Sequence, residues 1–176
     1  MSPALEMLLL WLVLQAAVTD IALRRIPNVL VLCGLLIAMA LHLYMGAPGA
    51  WLDTGLAGLA AGFFLFWPLY MLGGMAAGDV KLMAMSGVFL GPELALQVAL
   101  LTCLIGGALA LLMLLLNGRW RILWRNLNVI LRPMYWRALG IPVHAVPLAR
   151  SDSAGGIPYG VAIALGTLAV VVNAHR

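Results

Sequence analysis

Apolar runs approaching membrane thickness, separated by short polar punctuation, occupy most of this chain. A helix crosses the hydrocarbon core with roughly 20 apolar residues, within a range of about 17–25. Six stretches read as apolar helices: Ala4–Thr19, Val29–Met45, Leu52–Leu72, Val80–Leu90, Leu94–Leu116 and Ile157–Val172. Pro27 opens the second and suits a first helical turn. Gly46 to Gly49, with Pro48, separates the second from the third, and Gly91-Pro92 separates the fourth from the fifth. The fourth is too short to span unless it extends back through Asp79, so its ends need protein or water around them. Composition agrees. Of 176 residues, 65% are hydrophobic and 9% charged, against about 45–50% and about 25% in a soluble domain. A small globule cannot bury that much apolar side chain. The expected fold is an all-α integral membrane protein of about six transmembrane helices. It forms a single polytopic domain over residues 1–176, with the lipid bilayer as its solvent.

The few charges then set the topology. No Lys or Arg precedes the first run, Glu6 lies within it, and Arg24-Arg25 follows it. That order favours a retained helix with its N-terminus outside over a cleaved signal peptide. With six alternating helices, Arg24, Arg25, Lys81, Arg119, Arg121, Arg125, Arg132, Arg137 and Arg150 fall on the cytoplasmic side. Of the ten basic residues only Arg176 is then outside, with Glu6, Asp53 and Glu93. This is the positive-inside pattern. The pI near 9.6 therefore reflects topology, and no nucleic-acid partner is expected, because that would need basic residues clustered on a soluble face.

The loop Asn117 to Gly156 is the one long polar stretch. Trp120, Leu123, Trp124, Leu127, Leu131 and Met134 recur at helical spacing, opposite Arg121, Arg125, Asn128 and Arg132. A Trp-rich face opposite an Arg-rich face suits a helix lying in the headgroup region, which is preferred over a substrate-docking surface. Pro142, Pro147 and Gly155-Gly156 make the remainder irregular connection. In the third run, Gly58 and Gly62 form a GxxxG pair that lets helices approach closely. Internal packing is the preferred reading, with a homo-oligomer interface as the alternative. Cys33 and Cys103 lie far apart in apolar runs, and His42, His144 and His175 lack metal-ligand spacing, so no metal site is expected.

Apart from Asp152 in the loop, two acidic residues remain without a topological role. Asp20 ends the first helix and Asp79 begins the fourth, so both fall at the cytoplasmic face at similar depth. Ionisable residues at such depth are costly and are usually functional or paired. Asp20 could pair with Arg24 at i, i+4, and Asp79 could cap its helix. Two carboxylates from different helices at one level are a stronger signal. Close together they cannot both ionise easily. The ionised carboxylate can take a proton from water while the protonated one donates to the scissile carbonyl, which is aspartic-protease chemistry needing no metal. The pair would titrate as one coupled unit.

The local sequences carry a resemblance. They read Asp20-Ile21-Ala22-Leu23-Arg24-Arg25-Ile26-Pro27-Asn28, then Gly78-Asp79-Val80-Lys81-Leu82, then Ile157-Pro158-Tyr159-Gly160-Val161-Ala162-Ile163. Over nearly its whole length the chain resembles the type IV prepilin peptidases, membrane aspartic proteases of the GxGD type. It looks closest to the short, peptidase-only branch serving tight-adherence (Flp-type) pili. The resemblance implies removal of a short basic leader from prepilin or pseudopilin precursors, after a glycine, at the cytoplasmic face of the bacterial inner membrane. It implies Asp20 and Asp79 as the catalytic pair and Gly78 as the glycine before the second aspartate. Lys81, Arg24, Pro27 and Asn28 are implied as supporting or substrate-binding residues. Lys81 and Arg24 would tune the acid pair or bind the acidic residue often found after a pilin cut site. No cofactor is implied. Ala76 stands where the first glycine of GxGD is expected. The paired CxxC insert of the longer, methylating members is missing from this sequence, so methyltransferase activity is not implied.

Three readings of other kinds compete. A lipoprotein signal peptidase would carry Asn- and Gly-containing aspartate motifs that this sequence lacks. A proton-coupled transporter would use the aspartates as a relay and would show an inverted repeat. A non-enzymatic subunit of a pilus or secretion assembly would tolerate neutralisation of both aspartates.

Overall fold

The computed structural model describes residues 3–45, 51–116 and 158–175. The amphipathic loop expected over 117–156, and with it six of the arginines that carry the topology, lies outside the described residues. Five helices follow in order: α1 (Pro3–Leu23), α2 (Asn28–Met45), α3 (Ala57–Met71), α4 (Ala77–Leu116) and α5 (Tyr159–Ala174). A π-helical turn, Trp51–Leu56, leads into α3, and no strand occurs among the described residues. The chain forms two compact units, Met1–Gly106 with Pro158–Arg176, and Gly107–Ile157. The second is described only through residues 107–116, the end of α4.

Three helices are long and apolar enough to cross a membrane, over Leu5–Leu23, Trp51–Met71 and Ala77–Met113, while the apolar helices Asn28–Tyr44 and Tyr159–Ala174 are shorter. The fourth and fifth expected helices run on as the two halves of α4. Gly91 breaks them apart at φ 79, ψ 172. Glycine takes that positive φ without Cβ strain, and Pro92, which has no N–H to donate, fits the first turn of the second half.

The pattern of burial is that of a protein solvated by lipid. On α1, Met7, Trp11, Leu14, Val18 and Ile21 are exposed at helical spacing, while Leu9, Leu12, Val13, Ala16 and Asp20 face inward. An exposed apolar stripe of this size marks a membrane surface rather than a water-facing one. The first half of α4 is the central element: from Asp79 to Gly91 every residue but Lys81 is buried. That resolves the shortness of the fourth apolar run, which protein surrounds.

Small residues allow this burial. A Cβ on Gly58 would strike the Gly87 carbonyl, and one on Gly62 would strike the backbone of Met83. The GxxxG pair thus seats α3 on the backbone of α4, which is the internal-packing reading. A Schellman turn ends α3: Gly73, at φ 75, donates its N–H to Tyr70 O at 2.9 Å, and Gly74 to Leu69 O at 2.9 Å. Helices α1 and α5 run antiparallel, with Glu6 meeting His175 at one end and Asp20 meeting Gly160 at the other. Ser86, Thr167 and Thr19 return their hydroxyls to carbonyls of the preceding turn, which keeps them satisfied in apolar surroundings.

Candidate active site

Asp20 lies in the last turn of α1 and Asp79 in the first turn of α4. Both are buried, with 7% and 4% of their surface exposed, and the two carboxyls are within electrostatic reach of one another. The sequence sets the ends of these helices. Arg24 takes a left-handed backbone, φ 53, and its N–H donates to Asp20 O at 2.9 Å, closing α1. The Pro27 carbonyl accepts from Leu30 N–H at 3.1 Å to open α2. The short link between them carries Ile26 to Gly78, where a Cβ would come within 3.3 Å of Ile26 Cβ. Gly78 therefore keeps the start of α4 close to the α1–α2 corner, and Asp79 close to Asp20.

Each carboxyl has one oxygen bonded to a backbone N–H. Gly160 donates to Asp20 Oδ2 at 2.8 Å, and Ala76 donates to Asp79 Oδ2 at 2.9 Å. The second bond is the return half of a capping box, in which an acidic side chain three residues into the helix bonds back to the N-cap position. It explains how Ala76 stands in for glycine. Among the described non-glycine residues only Arg24 has positive φ, so Ala76 needs no glycine-like backbone. Its N–H, which alanine supplies equally well, is what Asp79 uses.

Lys81 and Asn28 form a second polar feature at the same end. Lys81 Nζ donates to Asn28 Oδ1 at 3.1 Å, joining the first turn of α4 to the first residue of α2. Both residues line an apolar cavity of about 490 Å³, whose walls include Leu32, Leu35, Leu59 and Phe63. No group of three His, Cys, Asp or Glu side chains among the described residues could hold a metal ion.

Two participants escape a reading by side-chain chemistry. Gly160 contributes a backbone N–H and the space left by its missing side chain: a Cβ there would lie 2.9 Å from both Cβ and Oδ2 of Asp20. Tyr159, its neighbour, is within electrostatic reach of Asp79. The Pro158-Tyr159-Gly160 run was the available signal, but nothing in it points to Asp20 without the fold.

No curated protein and no solved structure matches the chain. A sequence model of the type IV leader peptidase family matches residues 7–111, a stretch that carries both aspartates and covers more than half of the 176 residues. A set of apolar helices with two buried carboxyls is in keeping with that match, and the chain belongs to the type IV leader peptidase family.

Proposed function

We propose that this peptidase removes the short leader of Flp-type prepilins by aspartic chemistry, with Asp20 and Asp79 as the catalytic pair. The observation that carries the reading is the convergence of two buried carboxyls from separate helices, each with one oxygen fixed by a backbone N–H. One carboxylate takes a proton from water as the water oxygen bonds to the scissile carbonyl carbon. The other carboxyl donates its proton to the carbonyl oxygen. Collapse of the tetrahedral intermediate breaks the C–N bond, and the departing amine takes a proton from the pair, leaving a carboxylic acid and a new N-terminus.

The site's position suits such a substrate. A prepilin presents a basic leader followed by an apolar helix, and its apolar part can lie in the bilayer beside the enzyme. The cavity between α2, α3 and α4 begins at Lys81, two residues from Asp79, so the apolar helix would rest there with its start at the level of the acid pair. Lys81 meets the helix's first turn, where acidic side chains are favoured by the helix dipole. The topology that places Arg24, Arg25 and Lys81 inside would put the reaction at the cytoplasmic face of the bacterial inner membrane.

Co-expression with a candidate prepilin tests this reading. A product shortened by the mass of the leader, cut after glycine, is the expected result. An unshortened precursor in the presence of well-inserted enzyme would contradict it and favour a non-enzymatic assembly role.

A further inference from the structure

We propose that the Pro158-Tyr159-Gly160 start of α5 is a positioning element for the acid pair, with Gly160 as the positioning residue that orients the Asp20 carboxyl through its Oδ2. The proposal deepens the peptidase reading and rests on it.

The first N–H groups of a helix have no partner within it. In α5 the Pro158 carbonyl takes the Val161 N–H at 3.1 Å, and Pro158 itself has no N–H, so the helix begins here with Gly160 N–H unclaimed by its own backbone. Asp20 Oδ2, 140 residues away in sequence, accepts it at 2.8 Å. The bond is possible only because residue 160 is glycine: a methyl group would sit 2.9 Å from the carboxylate oxygen and from Asp20 Cβ. Asp79 mirrors this arrangement, with Ala76 N–H on its Oδ2. Each carboxyl therefore has one oxygen, Oδ2, held by a backbone N–H that orients the group. In the proposed mechanism the water and the shared proton use the two Oδ1 atoms.

Helix α5 is well suited to hold such a position. Ile163 and Val170 are buried, Gly166 comes close to Thr102 of α4, and His175 pairs with Glu6 at the far end. The same first turn lays the Tyr159 ring against Gly106, where a Cβ would be 2.8 Å from a ring carbon. The backbone of this turn thus holds Asp20 while its tyrosine packs on α4.

The test uses the purified full chain in lipid nanodiscs and a synthetic peptide with a basic leader, a glycine and an apolar helix. Gly160→Ala should lower kcat per folded molecule about 100-fold, the order expected for an acid displaced by about 1 Å. KM should change by less than about threefold, and the pH profile of kcat should be displaced from wild type. Pro158→Ala, which adds no atom beside Asp20, should lower kcat about tenfold with the same displacement, and it decides the matter on these readouts if Gly160→Ala fails to fold. Gly166→Ala, a packing change in mid-helix, should lower stability and leave kcat per folded molecule and the pH profile unchanged. Wild-type kcat in the deciding variant overturns the proposal. So does a rate loss that follows the unfolded fraction with an unmoved pH profile. A wild-type protein that leaves the peptide uncut overturns the peptidase reading itself, so the two failures are distinct.

Discussion

Lys81 and Asn28, 53 residues apart in sequence, are joined by a 3.1 Å hydrogen bond from Nζ to Oδ1. Both side chains are exposed and line the cavity between α2, α3 and α4. A hydrogen bond in such a place adds little to stability, on the order of 1 kcal/mol or less. Its consequence is for what enters the cavity. Lys81→Met should raise KM for a leader peptide bearing an acidic residue just after the cut by about tenfold, equivalent to about 1.4 kcal/mol, while kcat changes little. Steady-state kinetics with acidic and amide versions of the peptide check this. Equal KM values for wild type and variant with the acidic peptide would remove Lys81 from substrate binding.

Thr102 is fully buried and its hydroxyl has no partner. An unbonded buried hydroxyl costs on the order of 1–3 kcal/mol, and valine has nearly the same shape. Thr102→Val should therefore raise the thermal transition in detergent without altering cleavage. A lower transition temperature would show that the hydroxyl is satisfied in the membrane.

Gly62 and Gly73 should fail for different reasons when changed to alanine. At Gly62 the new methyl meets the Met83 backbone, and overpacking of this kind costs about 1–3 kcal/mol. At Gly73 no atom lies within 4 Å, but φ is 75, so the cost is left-handed strain of about 1 kcal/mol. Gly62→Leu should then be far worse than Gly62→Ala, while Gly73→Asn, which tolerates that backbone, should recover most of the loss. Thermal unfolding of the four variants tests the distinction.

Much of this arrangement was legible in the sequence because the chain is so apolar. With so few acids, Asp20 and Asp79 stood out once Glu6, Asp53 and Glu93 were given to the opposite side. The helical runs could be read from hydropathy alone, and the GxxxG pair pointed to close packing. The break at Gly91-Pro92 was legible too: the dipeptide reads as the end of one helix and the start of another, and Gly91 leaves the helical backbone there at φ 79, ψ 172. Gly160 was not legible. Its contribution is a backbone N–H and an empty space, and neither has a residue-type signature until α5 is laid beside α1. Ala76 is similar: the motif suggested a lost glycine, whereas the fold uses an N–H that alanine retains.

The most direct test of the acid-pair mechanism is the product mass from purified wild type, Asp20→Asn and Asp79→Asn acting on one leader peptide under identical conditions. Each asparagine keeps the shape of the side chain while removing its ability to carry or exchange the proton, so both variants should insert and melt much as wild type does. Wild type should yield the leader-less product, and each variant should lose cleavage by at least about 1,000-fold, the scale on which acid–base groups contribute. A folded Asp20→Asn or Asp79→Asn protein that still yields the shortened product at near wild-type rate would contradict the acid-pair mechanism.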